Sequence, residues 1–223
     1  MKVTWLGQAG LLFETNGLKI MVDPYLSDSV KEITPAFYRR VPVDQSLFDI
    51  KPDVLILTHN HLDHTDPQTL SHFLTEDSSV LVLASYNAWQ TARTFKGNNN
   101  YVSFNRNTEW TEKGVRFKAV YAEHSDDRAI GVVIFAEDKT YYVTGDTLYN
   151  EKIFCDLPNK IDYVFLPVNG VGNNMNFIDG ARFCAKLNAK AVPMHCGLFD
   201  EINLSDFPYE NKVVPKFYKE INL

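Results

Sequence analysis

Cysteine is scarce in this sequence of 223 residues: Cys155, Cys184 and Cys196 are all it has. An odd, widely spaced set builds no disulfide framework, and no pair has the short spacing of a zinc knuckle. Long hydrophobic runs are also missing, and none approaches the roughly 20 residues of a membrane span. Basic clusters are missing too. Lys and Arg number 22 against 28 Asp and Glu, giving a net charge of −6, and they are scattered. A chain that grips nucleic acid by its phosphates carries a basic stripe, so nucleic acid is not an expected partner, nor is a membrane. The start, Met1-Lys2-Val3-Thr4-Trp5-Leu6-Gly7, reads as a strand and not as a secretory signal. The expectation is a cytoplasmic protein.

What is present suits a folded α/β chain. Hydrophobic residues make up 45% and aromatics 13%, ample for a sizeable core. No linker, repeat or charge run divides residues 1–223, so one domain of two similar halves is the simplest organisation. Strands are expected at Val3–Leu6, Gly10–Glu14 and Leu18–Asp23, with Asn16-Gly17 as a hairpin turn. Val54–Leu57 and Val80–Ala84 read as buried strands. Asp66-Pro67 caps a helix to about Leu74, and a second helix runs from about Asn87 to Phe95. Val115–Ala122 alternates. Ala129–Phe135 and Thr140–Thr144 form a hairpin about Glu137-Asp138-Lys139. Tyr163–Pro167 and Lys190–Met194 are the last strands. Between them Asn176 caps a helix striped by Phe177, Ala181, Cys184 and Leu187.

Five of the six histidines fall at the ends of these strands. Four metal-ligand residues sit in one run, Thr58-His59-Asn60-His61-Leu62-Asp63-His64, and His124, Asp146 and His195 follow singly. His59 and His61 alternate, so their rings can point one way. Asp63 and His64 belong to the following turn and can aim at a neighbouring point. One run can therefore feed two adjacent ions. Imidazole with carboxylate suits Zn²⁺, or Mn²⁺ and Fe²⁺ where oxygen dominates. Two ions about 3.5–4 Å apart generate hydroxide at neutral pH and polarise a carbonyl or phosphoryl oxygen. Asp146 is the natural bridge between them, and Asp63 is expected to double as ligand and proton acceptor.

Taken singly, His124 or His195 reads as a hydrogen-bonded or core histidine, Asp146 after Gly145 as a turn residue, and Asp63 or Asp66 as a helix cap. The four-residue run makes the ligand reading of the later residues credible. His72 lies mid-helix and is assigned no role. Cys184 is expected in the core. Cys196 follows His195, close to the expected site, and is not a candidate nucleophile.

The chain resembles the metallo-β-lactamase fold superfamily. The carriers are His59-Asn60-His61-Leu62-Asp63-His64 with the single motifs at His124, Asp146 and His195, and the likeness covers nearly the whole chain. It implies a four-layer αβ/βα sandwich with His59, His61 and His124 holding one ion, Asp63, His64 and His195 the other, and Asp146 shared. Within that superfamily the chain is most similar to L-ascorbate-6-phosphate lactonase-like hydrolases, through Trp5-Leu6-Gly7-Gln8-Ala9-Gly10, Val22-Asp23-Pro24, Asp126-Asp127-Arg128-Ala129 and Leu187-Asn188-Ala189-Lys190. It departs from them in lacking an N-terminal extension and in having Cys196 where they tend to carry a second histidine. The resemblance implies a metal-dependent hydrolase of a small ester or lactone, with or without a phosphate. A phospholipase D-like phosphodiesterase is the alternative on the same ions, and a non-catalytic metal-binding or scaffold protein is the third reading.

Residues 27–52, with Pro35, Pro42 and Pro52, are too long for a plain connector, so they are either functional or carry a short helix, and they are expected to face the substrate. Their Phe37-Tyr38-Arg39-Arg40 places Arg39 or Arg40 as the candidate grip on a negative group. The alternative is that both arginines are solvated or pair with Asp44 and Asp49.

Overall fold

Alternation decides the layers. Along Val54–Leu57, Val54 and Ile56 join one core cluster while Leu55 and Leu57 join another. Successive side chains of a strand leave on opposite faces, so both faces of this strand are covered. The same division holds for Leu81 and Leu83 against Val82 and Ala84.

The computed structural model describes all residues from 1 to 223. The first sheet joins β1 (Lys2–Gly7), β2 (Gly10–Thr15), β3 (Leu18–Val22), β4 (Val54–Leu57), β5 (Leu81–Ala84) and β6 (Asn100–Ser103) in that spatial order. β1 to β3 are antiparallel, and β3 to β6 run parallel. The second sheet joins β7 (Glu109–Glu112), β8 (Val115–Tyr121), β9 (Ile130–Ala136), β10 (Lys139–Val143), β11 (Tyr163–Pro167) and β12 (Lys190–Met194). Its first four strands are antiparallel, and β10 to β12 are parallel. Helix α1 (Ser29–Ile33) lies within the long connection after β3. α2 (Pro67–Phe73) and α3 (Tyr86–Ala92) follow β4 and β5, and α4 (Phe177–Leu187) precedes β12.

The inner faces of the two sheets meet in a cluster of 42 buried residues, with Phe13, Ile56, Phe117 and Phe165 among them. The outer face of the first sheet packs on Leu70, Phe73, Ala88 and Ala92 of α2 and α3. Each such leucine or phenylalanine removed from water contributes about 1.5–3 kcal/mol. α4 approaches the second sheet at Gly180, where an added Cβ would stand 2.9 Å from Val168 Cγ1. The result is the four-layer α/β–β/α sandwich of the metallo-β-lactamase fold.

Local signals explain the expected elements. Asp66 accepts from the backbone N–H of Gln68 (3.2 Å) and Thr69 (2.9 Å), capping α2 over its Pro67 start. Glu137 and Asp138 take φ of +50° and +56° and form the tight turn between β9 and β10. α3 starts at Tyr86 and stops at Ala92, earlier than the expected Phe95. Two strands lack a sequence signal, β6 and β7, at the ends of the two sheets. The last residues return along β1, with Tyr218 N–H to Trp5 O at 2.9 Å and Ile221 N–H to Val3 O at 2.8 Å. Phe217 stacks on Trp5 at 4.3 Å, so the outer edge of β1 is covered. No helix is long and apolar enough to cross a membrane.

Candidate metal centre

The carboxyl ends of β4, β8, β10 and β12 open on one edge of the sandwich, and each delivers part of one cluster. β4 leads through Thr58 into the histidine run. Thr65 Oγ1 donates to His59 O (2.7 Å), and His64 and Thr65 N–H return to His61 O, which closes the turn. Asp126 braces the same turn by accepting from Asn60 N–H (3.0 Å) and Asn87 Nδ2 (2.6 Å). β10 reaches the site through Gly145, at φ +61°, where a Cβ would meet Ile130 O at 2.6 Å. Only glycine lets that turn lie so close and present Asp146.

Two groups result. Ligand atoms of His59, His61 and His124 lie within 4.8 Å of one another, and so do those of Asp63, His64 and His195. In the first, His124 Nε2 is 3.1 Å from His61 Nδ1. In the second, His64 Nε2 and His195 Nε2 are 3.2 Å apart, and Asp63 Oδ2 is 3.3 Å from His195 Nε2. Asp146 Oδ1 stands 3.3 Å from His64 Nε2 and 3.4 Å from His195 Nε2. His59 Nε2 and Asp146 Oδ1 are buried without a hydrogen-bond partner. Buried polar atoms are rarely left so, and converging imidazole nitrogens with an orphaned carboxylate oxygen suit divalent cations. The residues therefore fit metal, and bound metal supplies an activated water and a Lewis acid.

Outer partners fix the rings. Asp23 Oδ2 faces His64 Nδ1 at 2.9 Å and accepts from Thr58 Oγ1 at 2.5 Å, while its Oδ1 accepts from Thr58 N–H. His64 thus donates from Nδ1 and turns Nε2 to the cluster. Asn169 lies 3.1 Å from His195 Nδ1, Asn174 Nδ2 donates to Asp146 Oδ2 (2.9 Å), and Gln8 Nε2 donates to Asp63 Oδ2 (2.8 Å).

The metal-free electrostatics divide the histidines. Burial, followed by the charge of His64, pushes His59 well below its ordinary value, and burial lowers His124. Burial also opposes a charge on His64 and His195, but Asp146 and Asp63 outweigh it and raise both. Asp63 and Asp146 face the same burial penalty and are nonetheless held low, Asp63 first by His64 and Asp146 first by His195.

All seven expected ligand residues thus converge. The two arginines do not join them. Arg39 spends its guanidinium on Tyr25 O (2.8 Å), Val41 O (3.3 Å) and the Tyr218 hydroxyl (2.6 Å). Arg40 pairs with Glu201 at 2.8 Å, and neither arginine lines the pocket over the metal groups. The loop reaches that pocket through Val30 and Phe37 instead. His72 lies in the last turn of α2 with its ring 4.2 Å from that of Phe48. Cys184 and Cys196 are buried in the main core. Gln8, Asp23, Asn169 and Asn174 are functional neighbours that sequence reasoning missed. Asp23 and Gln8 stood in the quoted motifs, but nothing local marks them as contacts of His64 and Asp63.

Two mixed sheets that gather these histidines and aspartates on one edge define a metal-dependent hydrolase of the metallo-β-lactamase fold. The chain belongs to the family described as the beta-lactamase superfamily domain, which it matches over residues 2–195. Among curated relatives, a UPF0173 metal-dependent hydrolase of Geobacillus sp. (strain WCH70) is 30% identical over 224 residues, covering 91% of this chain and 88% of the relative. A UPF0173 metal-dependent hydrolase of Bacillus cereus is 27% identical over 233 residues, covering 96% and 93%. Among solved structures, the isothiocyanate hydrolase from Delia radicum gut bacteria aligns with a TM-score of 0.75 at 20% identity, covering 99% of this chain and 98% of that one. A metallo hydrolase of the archaeon Ignicoccus hospitalis aligns with a TM-score of 0.66 at 20% identity, covering 88% and 82%.

Proposed function

We propose that this metal-dependent hydrolase acts on a small, uncharged ester or lactone. The observation that carries the reading is the pocket above the clustered carboxylates. It holds about 220 Å³, and Val30, Phe37, Val171, Phe199 and Ile202 form its apolar wall. Gln8, Asp63, Asp146, Asn169 and His195 are among its polar lining, and no lysine or arginine is included. Away from the metal ligands the pocket offers Asp200 and no lysine or arginine, so an anionic substituent there would meet a carboxylate. This weighs against a lactone that carries a separate phosphate group. It leaves the lactonase-like reading for neutral members of that substrate class.

The residue roles follow the two groups. His59, His61 and His124 would hold one ion and Asp63, His64 and His195 the other, and Asp146 would be the shared ligand, with Zn²⁺ or Mn²⁺ as the candidates. Asp63 borders the pocket and is the proton acceptor. The apolar wall seats the acyl chain and excludes water from it. A purely structural or scaffold role would leave the pocket and the orphaned ligand atoms without a purpose. The chain's free cysteines agree with a cytoplasmic setting.

The test is a turnover screen of Zn²⁺- and Mn²⁺-loaded protein against neutral lactones, short-chain esters, phosphorylated lactones, phosphodiesters and allyl isothiocyanate. Neutral esters or lactones should dominate, with Asp146→Ala silent. Turnover confined to phosphodiesters, or to no compound, would overturn the reading.

A further inference from the structure

We propose that Gln8 is a further catalytic residue, donating a hydrogen bond from its carboxamide to the carbonyl oxygen of the substrate. The inference rests on the ester or lactone reading of the same pocket. Gln8 is 2% exposed, yet its side chain lines that pocket. It sits in the turn between β1 and β2 with φ at +50°, an uncommon conformation for a residue with a long side chain. Both sheets hold it there. Its carbonyl accepts from Trp5 Nε1 at 3.0 Å and from the backbone N–H of His195 at 3.1 Å. A strained, doubly anchored backbone fixes where the carboxamide points.

The amide nitrogen carries two N–H groups. One is taken by Asp63 Oδ2 at 2.8 Å. The nitrogen also stands 3.1 Å from Nδ1 and 3.2 Å from Nε2 of His195. Near-equal distances to both nitrogens of one ring place it against the ring, not on either lone pair. His195 Nδ1 already faces Asn169, and His195 Nε2 faces His64 and the carboxylates. The second N–H therefore meets only the His195 ring, whose two nitrogens are engaged elsewhere, and Gln8 lines the pocket.

A carbonyl oxygen would be a better acceptor for that N–H than a ring whose nitrogens are already engaged. As water adds to the acyl carbon, the C=O pair shifts onto oxygen, and the donor strengthens as that charge grows. The oxygen–carbon bond to water forms, the ester C–O bond then breaks, and the water's proton ends on the leaving oxygen. Gln8 is unchanged throughout. Asp63 keeps the donor oriented, and Gln8 in turn keeps Asp63 Oδ2 in place. The same amide thus touches both the acid and the reacting group.

Gln8→Glu keeps the shape and removes the donor, while Gln8→Ala removes both. Each is compared with wild type as Zn²⁺-loaded protein, with metal content and melting temperature recorded beside kcat and KM. A second measurement needs no turnover: calorimetric binding of δ-valerolactam, the unreactive counterpart of δ-valerolactone. The expected result is a kcat loss of about 100-fold in both variants with metal content retained. KM should move far less, and lactam affinity should fall about 10-fold. A kcat within twofold of wild type would overturn the proposal, as would a loss that merely tracks lost metal. Lactam binding that is absent from wild type or equal in all three proteins would overturn it too. If wild type turns over no ester or lactone while its lactam binding still depends on Gln8, the hydrolysis reading fails and the carbonyl donor stands.

Discussion

Asp23 and His64 face each other as a fully buried pair, carboxylate Oδ2 to imidazole Nδ1 at 2.9 Å, from opposite ends of a 41-residue separation. That contact chooses the tautomer in which His64 Nε2 is free for metal. Asp23→Asn keeps an oxygen but removes the negative charge. The expected outcome is roughly 10- to 100-fold weaker binding of the second ion, with the first little changed. Chelator competition on the metal-loaded variant measures this. Equal affinities for both ions in variant and wild type would contradict the assigned role.

Metal uptake should release protons unequally. His59 and His124 are lowered and need shed none near neutral pH, whereas His64 and His195 are raised and must lose theirs before Nε2 can coordinate. Calorimetry in buffers of different ionisation enthalpy should therefore show about two protons released with the second ion and close to none with the first. Equal release from both steps would refute the division.

The same shifts set the stability of the metal-free protein. His64 and His195 have folded values above their unfolded one, so their contribution is complete below about pH 6.5 and disappears as pH rises through the raised folded values. Asp146 is depressed, so its contribution is present above about pH 3.9 and lost as pH falls through its lowered folded value. Melting curves of chelator-treated protein should decline as pH rises above about 6.5 and through the raised values of His64 and His195, and metal should remove that decline. A flat profile without metal would count against the buried cation–carboxylate arrangement.

Asp146→Ala should cost more than about 100-fold in kcat, since its buried Oδ1 faces His64 and His195 and has no hydrogen-bond partner of its own. His72→Ala, which removes only a ring resting on Phe48, should stay within about 1 kcal/mol in stability and near wild type in turnover. Comparable losses of activity would mean that the sixth histidine has been misjudged.

A stability prediction lies away from the metals. Asp156 binds Arg106 through two hydrogen bonds, at 2.6 and 2.9 Å, and accepts from Tyr121 N–H at 2.9 Å. Burial opposes its charge, but Arg106 and the Tyr121 N–H outweigh that and lower Asp156. Arg106 is partly solvated, so Asp156→Asn should cost only about 1–3 kcal/mol, with little effect on turnover. Urea unfolding of the two proteins checks this.

The histidine run was legible because its spacing has few structural explanations, and the later single ligands followed from strand ends. Other features depend on distant partners. Arg39 meets Tyr218 across 179 positions and Arg40 meets Glu201 across 161, so no local pattern shows either guanidinium to be engaged. Residues 27–52 leave two alternatives in the sequence, a functional loop or a short helix, and they hold α1 and a 3₁₀ turn at Gln45–Asp49. β6 and β7 escaped notice because sheet-end strands need no apolar run: Asn100-Tyr101-Val102-Ser103 and Glu109-Trp110-Thr111-Glu112 have no fully buried residue. Gln8 and Asp23 look like ordinary turn residues until the sheets close and set them against Asp63 and His64.

The order of ligands along the chain gives the centre a history. A growing polypeptide completes His59, His61 and His124 once β8 has emerged, whereas the other group waits for His195 after β12. The backbone N–H of His195 docks on Gln8 O, so the last strand to be made must find the first turn. In the proposed two-ion centre, one ligand group is therefore complete in sequence well before the other, which waits for the last strand. Depletion of metal during translation and depletion afterwards would then leave different populations of protein.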